Sequence, residues 1–167
     1  RDFDKLLQLT VFLEAGLPIP ESIYTKSLPR VEALCDRGYL IKPIARFFGL
    51  GIRLLEGRTL KRMIMTRALQ DTFFQKRLET RSDFRVIVLG GEALGAMKKT
   101  PRGRSLVSNV SAGGKAEGAE LTDELRDLAL AAARALHCEY GGVDIMYGAD
   151  GRPYLLVLAT LYEVDRE

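Results

Sequence analysis

The chain has 167 residues, of which 47% are hydrophobic, and this allows one compact domain or two small lobes with a sizeable core. Lys and Arg number 25 against 22 Asp and Glu, so the net charge of +3 is too small to indicate nucleic-acid binding through bulk electrostatics. No apolar run approaches the roughly 20 residues that a membrane-spanning helix needs, and we expect no membrane association.

The cysteines and the single histidine give no sign of a metal site. Cys35 and Cys138 lie far apart in sequence and share no metal-ligand spacing with each other or with His137. Such cysteine usage is typical of a reducing compartment, so we predict a cytoplasmic protein. Arg1 and Asp2 do not begin a secretory signal, and the absent initiator Met suggests that upstream sequence is trimmed or missing.

The first predicted element is a helix from Phe3 to Ala15, followed by Gly16 where a left-handed residue can end it. A helix with one solvated face avoids apolar residues on both sides. This helix has them on both sides, at Leu6, Leu7, Leu9, Val11, Phe12 and Leu13. We therefore expect a protein partner, or a second copy of the chain in a homodimer, to cover it. Residues 17–20 contain two prolines and form a stiff, extended connector.

The rest of the first half predicts helices on a small antiparallel sheet. Ser27 can cap a short helix that ends before Gly38. Strands over 39–44 and 51–55, a helix from Thr59 to about Ala68 and a strand over 72–78 are predicted to follow. The first two strands form a hairpin around a lid-like loop at 45–51. We predict residues 1–80 as an N-terminal lobe and residues 81–167 as a C-terminal lobe.

The second half predicts two hairpins and one long helix. Residues 84–97 are two strands around Gly90-Gly91, a dipeptide that allows the positive φ angles of a two-residue turn. Residues 98–121 form a long basic segment that is either functional or disordered. Thr122 caps a helix whose apolar face comprises Leu125, Leu128, Ala129, Ala132 and Leu136. A second hairpin surrounds Asp150-Gly151, and its last strand, apolar throughout, is predicted to be central and buried.

Six segments follow one another in a familiar order: GLPIP, IKPIARFFGLGI, FFQKRLE, SDFRVIVLGGEALGAM, SNVSAGG and GGVDIMYGADGRPYLLVLA. Together they resemble the ATP-grasp carboxylate-amine ligases over nearly the whole chain, and most closely the RimK-like branch that attaches glutamate to proteins or cofactors. The resemblance implies an α+β fold of ATP-grasp type, with two α/β lobes built on antiparallel sheets. Family members have a small α/β domain before this region, and from the resemblance we expect this sequence to lack it.

The resemblance also implies a chemistry. Family members hold ATP between two lobes, activate a carboxylate as an acyl phosphate and let an amine attack it. Lys42 matches the lysine that neutralises phosphate oxygens, although a lysine at a strand end is more often a solvated charge. The loop at 45–51 usually consists of small residues that close around phosphates. Here Phe47 and Phe48 favour an apolar partner instead, and Arg46 could compensate as a phosphate contact.

Further nucleotide contacts are implied by position. The hinge that frames adenine through main-chain hydrogen bonds corresponds to Gln75, Lys76, Arg77 and Leu78. Asp83 matches an acidic residue for the ribose hydroxyls, and Arg85 matches a candidate catalytic arginine facing the phosphates or the substrate. An ordinary alternation of charges on an exposed strand face is the alternative for this pair. Asn109 could contact substrate or phosphate, or satisfy its own loop backbone.

The metal site departs most from the family pattern. Family members hold magnesium through one carboxylate on the first strand of the last hairpin and through Glu-x-Asn on the second, because this cation demands oxygen ligands. Asp144 stands at the first position, but Val157 and Ala159 stand at the other two. The resemblance thus implies ATP and Mg²⁺ as cofactors, while the replaced ligands argue against efficient phosphoryl transfer. We expect Val157→Glu with Ala159→Asn to destabilise a strand packed as core.

Three functions follow from these residues. The first is a non-catalytic ATP-grasp-like domain with weak nucleotide binding or a partner-binding role. The second is an active ATP-dependent carboxylate-amine (glutamate) ligase with a rearranged metal site, for instance using Glu92 or Glu139. The third is a binder of nucleic acid or acidic protein, whose alternative is a solvated basic loop. Its residues would be Lys98, Lys99, Arg102, Arg104 and Lys115.

Overall fold

The computed structural model describes residues 4–44, 51–66, 68–103, 106 and 114–159. The described helices are α1 (Lys5–Glu14), α2 (Leu28–Leu34), α3 (Gly57–Thr66) and α4 (Asp123–Ala135), with a 3-10 turn at Ala68–Asp71. The described strands are β1 (Ser22–Ile23), β2 (Tyr39–Pro43), β3 (Arg53–Leu54), β4 (Thr72–Lys76), β5 (Asp83–Leu89), β6 (Glu92–Thr100), β7 (Lys115–Ala119), β8 (Tyr140–Tyr147) and β9 (Pro153–Ala159). The predicted α+β class is confirmed.

The strands form two antiparallel sheets, and each belongs to a separate compact unit. The first unit, Pro20–Arg77, contains a four-stranded sheet in the order β1-β4-β2-β3. The second unit combines Arg1–Ile19 with Leu78–Glu167 and contains a five-stranded sheet in the order β7-β6-β5-β8-β9. Each sheet has its own hydrophobic core, so each unit buries its own apolar face.

The first unit follows its predicted pattern with small shifts. Strands β2 and β3 pair antiparallel, which confirms the predicted hairpin, whereas residues 45–50 between them lie outside the described residues. Helix α3 begins at Gly57 rather than at Thr59. Ser27 occupies the N-cap position of α2, but its side chain makes no capping bond; its N–H instead donates to the Thr25 hydroxyl at 3.1 Å.

The second unit contains the elements whose local signals are strongest. Gly90 and Gly91 adopt φ angles of 57° and 82°, as the two-residue turn between β5 and β6 requires. The Thr122 hydroxyl accepts a hydrogen bond from the Leu125 N–H and caps α4. All five residues predicted for the apolar face of α4 are buried. Gly151, with φ 75°, lies in the turn between β8 and β9 as predicted.

Helix α1 packs with the second sheet rather than with the first, which differs from the predicted division at residues 80 and 81. The Phe12 side chain is fully buried in the core formed with α4. This contact explains one apolar side of the helix without any partner. Leu7 and Leu13, 54% and 65% exposed, are the residues on which the expectation of a covering partner or homodimer now rests.

Two strand predictions are wrong. Residues 98–121 are not one long loop, because β6 continues to Thr100 and β7 pairs with it antiparallel, Lys98 opposite Glu117. Strand β9 lies at an edge of the described sheet instead of its centre. Other hydrogen-bond partners cover its open side. The Gln8 side chain donates to the Leu158 carbonyl and accepts from the Leu158 N–H, and the Leu155 N–H donates to the Pro18 carbonyl. An edge strand protected in this way can be as apolar as a central one.

Candidate functional site

Four charged side chains meet on one face of the five-stranded sheet. Strands β6, β5 and β8 lie side by side, with Asp83 opposite Lys99 and Arg85 opposite Asp144. Residues directly opposite each other in an antiparallel pair share a sheet face, as do residues two apart along one strand. The register of three strands therefore brings these four residues together, and we call them the ion cluster.

Every member of the ion cluster has a partner of opposite charge within hydrogen-bonding distance. Arg85 donates from Nε and Nη2 to the two carboxylate oxygens of Asp144, each at 2.8 Å. The Lys99 ammonium lies 3.0 Å from Asp144 Oδ1 and 2.7 Å from Asp83 Oδ2. Two cations and two anions make the cluster formally neutral, and a bidentate guanidinium–carboxylate pair is among the strongest hydrogen-bonding arrangements in proteins.

The cluster is largely removed from water. The side chains of Asp83 and Lys99 are each 4% exposed and that of Asp144 is 8% exposed, whereas Arg85 keeps 26%. Burial acts to raise the pKa of Asp144, but hydrogen bonds from Arg85 and the charge of Lys99 outweigh it and hold that pKa below its ordinary value. The same hydrogen bonds raise the pKa of Arg85. Both groups are therefore charged at neutral pH.

Gly142 makes room for the guanidinium. It lies two residues before Asp144 on β8, and a Cβ there would be 3.0 Å from Arg85 Cδ and 3.2 Å from Arg85 Nε. Arg85 thus lies across a position without a side chain, which lets it reach Asp144 along the sheet surface.

The residues at the expected metal site do not fit magnesium. Val157 stands directly opposite Asp144, and Ala159 stands opposite Gly142, so both belong to the sheet face of the ion cluster. Neither side chain contains an oxygen atom, and the carboxylate of Asp144 already accepts three hydrogen bonds. Within the described ranges, no three His, Cys, Asp or Glu residues are grouped so that they could hold a metal ion. Octahedral coordination by protein oxygens is therefore not available here.

Val157 and Ala159, which stand at the expected metal-ligand positions, are also less buried than the apolar sequence of β9 suggested. Val157 and Ala159 are half-buried, whereas Leu155 and Leu158 are buried in the core. A register shift between Asp144 and Ile145 accompanies this arrangement. The expectation that polar groups at positions 157 and 159 would enter the core is therefore wrong.

In the first unit, the predicted phosphate lysine lies next to the predicted hinge. Lys42 donates from Nζ to the side-chain oxygen of Gln75, and the amide nitrogen of Gln75 donates to the Ser22 hydroxyl at 2.9 Å. Gln75 is only 1% exposed, so its amide links β4 to both neighbouring strands from inside. Lys42 is therefore held by a buried partner and is not a freely solvated strand-end charge.

The hinge backbone is partly engaged within the first unit. The Lys76 N–H donates to the Glu21 carbonyl at 2.8 Å, and the Arg77 N–H donates to the Gly38 carbonyl at 2.9 Å. The Lys76 ammonium lies 4.9 Å from the centre of the Tyr39 ring. In the described part of the chain, the Leu78 N–H has no backbone acceptor, which leaves it as the hinge donor for a ligand.

The structure brings together only some of the predicted site residues. Asp83, Arg85 and Asp144 form one cluster in the second unit. Lys42 and the hinge residues Gln75, Lys76 and Arg77 belong to the first unit, and Leu78 begins the second part of the second unit. Asp83 and Arg85 are not an exposed pattern of alternating charge, so that alternative is wrong. Asn109 lies outside the described residues.

The sequence analysis did not predict the role of Lys99 in this cluster; it placed Lys99 in the long basic segment, as a candidate for binding nucleic acid or acidic protein or as part of a solvated loop. The strand alternation of β6 continues from Met97 to Lys99, and this periodicity would have placed its side chain on the face of Asp83.

Comparison with known proteins identifies the class to which this fold and site belong. A family model described as a RimK-like ATP-grasp domain matches residues 3–160. The tetrahydromethanopterin:alpha-L-glutamate ligase of Methanocaldococcus jannaschii is 33% identical over 165 residues, covering 90% of this chain and 56% of that enzyme. Its counterpart in Methanosarcina acetivorans is 31% identical over 154 residues, covering 81% of this chain and 47% of the enzyme.

A solved structure agrees with the sequence relatives. The ATP-grasp ligase PsnB, complexed with minimal precursor, Mg and ADP, superposes with a TM-score of 0.75 at 28% identity, covering 97% of this chain and 52% of that one. This chain belongs to the RimK-like ATP-grasp family. It spans about half the length of the relatives that it matches. Across the described residues, we find no helix with the length and apolarity required to span a bilayer.

Proposed function

We propose that this chain is an ATP-grasp domain that binds an adenine nucleotide weakly and lacks efficient ligase chemistry. One observation carries the proposal. Asp144 is the only expected metal ligand that the sequence retains, and its carboxylate forms ion pairs with Arg85 and Lys99. Phosphoryl transfer in this family relies on electrostatic positioning of the transferring group, and loss of such positioning costs orders of magnitude in rate.

Several contacts support residual nucleotide binding. The Leu78 N–H is the hinge donor that remains for an adenine ring. Lys42, held by the buried Gln75, supplies a positive charge for phosphate oxygens. Among the described residues, Arg85 binds Asp144 through Nε and Nη2, which leaves the Nη1 donors for an anionic ligand. Each of these groups, considered within its own unit, is a hydrogen-bond donor of the kind that an adenine nucleotide can use.

An active ligase with a rearranged metal site receives less support. Glu92 lies at the start of β6 and Glu139 precedes β8, so both stand near the Gly90-Gly91 turn. At that end of the strands Leu89 pairs with Tyr140, whereas Arg85 pairs with Asp144 four residues further along. Four residues of strand correspond to about 13 Å. Neither glutamate is close enough to Asp144 to replace a missing ligand.

The basic segment also receives less support as a binding surface. Lys99 is buried in the ion cluster, and Lys98 is half-buried within a strand. Lys115 pairs with Glu117 at 3.0 Å on β7. Among the described residues of this set, only Arg102 is exposed and not engaged in one of these ion pairs or buried in a strand. Arg104 lies outside the described residues. A continuous basic patch is not formed by the described members.

Calorimetric titration with ATP and with ADP, each in Mg²⁺ and in EDTA, tests the proposal. We expect weak binding with nearly equal affinity in both buffers, and no phosphate release above background. Lys42→Met should weaken binding, whereas Lys61→Met, on the exposed surface of α3, should leave it unchanged. Magnesium-dependent turnover would establish the ligase alternative instead, and absence of any nucleotide binding would reject the proposal.

A further inference from the structure

The Lys99 ammonium lies between two buried carboxylates, with Asp83 Oδ2 at 2.7 Å and Asp144 Oδ1 at 3.0 Å. A lysine of this kind is unusual, because burying an ammonium ion costs several kcal/mol unless it is well paired. Lys99 is as buried as the carboxylates that hold it. The fold thus contains a place that holds a cation by two oxygens from different strands, β5 and β8.

The position of this cation relative to the degenerate metal site is informative. Asp144, the retained metal-ligand position, is one of the two carboxylates that bind Lys99. Val157, at the replaced glutamate position, stands directly opposite Asp144 on β9. The same carboxylate therefore meets an aliphatic side chain on one side and an ammonium on the other. Charge balance is complete without any external ion, since Arg85 supplies the second positive charge.

We infer that the Lys99 ammonium supplies to Asp83 and Asp144 the positive charge that a divalent cation would otherwise supply, so that this chain binds nucleotide without a metal. The part of this inference that concerns nucleotide rests on the proposed function. The part that concerns the cation does not, because it is a property of the two carboxylates alone. Removing the ammonium converts the pair Asp83 and Asp144 into a weak site for an added divalent ion.

Distances indicate which ion should fit. The oxygens lie 2.7 and 3.0 Å from the ammonium nitrogen. Magnesium demands about 2.0–2.1 Å and near-octahedral geometry, whereas calcium accepts about 2.3–2.6 Å and irregular coordination completed by water. An ion that replaced the nitrogen would need a smaller closing movement for calcium than for magnesium. Calcium is therefore the more effective probe.

The test compares Lys99→Met with Lys98→Met, the same substitution one residue earlier on the opposite face of β6. Melting temperatures are measured without nucleotide in EDTA, MgCl₂ and CaCl₂. Lys99→Met should melt lower than wild type in EDTA and recover about 3–6 °C in calcium at roughly ten times the dissociation constant. Wild type and Lys98→Met should shift by less than about 1 °C. A Lys99→Met variant that calcium and magnesium leave unchanged would overturn the inference.

Two further measurements keep the inference testable whatever the stability of the variant. If Lys99→Met is unfolded in EDTA, recovery of its far-ultraviolet circular dichroism on adding calcium supports the inference, and failure to recover opposes it. Nucleotide affinity of the wild type should change less than about twofold between Mg²⁺ and EDTA, and tenfold tightening by magnesium would refute metal-free binding. Divalent rescue without any nucleotide binding would reject the proposed function while leaving the cation assignment intact.

Discussion

Gln8 is expected to stabilise the fold far more than its position on the first helix suggests. It is 2% exposed, and its side chain donates to the Leu158 carbonyl at 2.8 Å and accepts from the Leu158 N–H at 2.9 Å. One amide thereby replaces a neighbouring strand at the edge of β9. The substitution Gln8→Leu keeps the size of the side chain and removes both hydrogen bonds.

The expected loss follows from the two backbone groups that the substitution leaves without this partner. An unsatisfied buried donor or acceptor costs about 1–3 kcal/mol, and the gain from burying a leucine offsets part of the sum. We therefore expect the free energy of unfolding to fall by about 2–4 kcal/mol. For a chain of this size that corresponds to about 4–16 °C in melting temperature. Such a loss is a large share of the about 5–15 kcal/mol typical of a native protein.

Urea unfolding followed by circular dichroism measures this loss directly. Leu7→Gln is the matched control, because Leu7 is the adjacent residue of the same helix and is 54% exposed. Its free energy of unfolding should stay within about 0.5 kcal/mol of wild type. If Gln8→Leu lost no more stability than Leu7→Gln, the strand-like role of the amide would be refuted.

The remaining predictions concern charge and burial. The pKa of Asp144 is lower in the folded state, so its contribution to stability should be present above pH 4 and disappear as the pH falls further. Asp144→Asn should therefore lower the free energy of unfolding by about 3–5 kcal/mol at pH 7 and by progressively less below pH 4. Urea unfolding midpoints measure this difference. The hydrogen bond to Glu21 raises the pKa of Tyr39 to about 12, so the stability that Tyr39→Phe removes, about 1–2 kcal/mol, should be constant below pH 10 and vanish as the pH rises to 12. A constant difference across either pH range would contradict that assignment. The double variant Val157→Glu with Ala159→Asn should remain folded, with a melting temperature within about 5 °C of wild type, since both positions are half-buried; an aggregated or unfolded product would show that this face is core after all.

Features that depend on neighbouring residues were accessible from the sequence. The turn at Gly90-Gly91 needs positive φ angles at two successive positions, and no information from elsewhere in the chain is required to predict it. Helix α4 combines a capping Thr122 with an apolar face at helical spacing, so its start and its buried side were both predicted correctly. In such elements local and tertiary preferences agree.

Features that depend on distant partners were not accessible in the same way. Strand β9 has the composition of a central strand because residues 150 positions away in sequence complete its edge. Lys99 follows Lys98 in a basic segment, and strand alternation by itself shows only that the two lysines lie on opposite faces of β6. Its partners come from β5 and β8, so its role depends on strand register, which composition does not specify.

Regaining a metal site on this face should need more than the restoration of its missing ligands. A carboxylate introduced at position 157 would stand opposite Asp144, whose oxygens are held by Arg85 and Lys99. The ammonium would still occupy the shared oxygens, and an added divalent ion would meet its positive charge at close range. We therefore expect Val157→Glu with Ala159→Asn alone to show no stabilisation by calcium or magnesium, and the same pair combined with Lys99→Met to show it. If calcium or magnesium stabilised the double variant, the Lys99 ammonium would be shown to leave the carboxylates easily, and it would not determine which cation binds there.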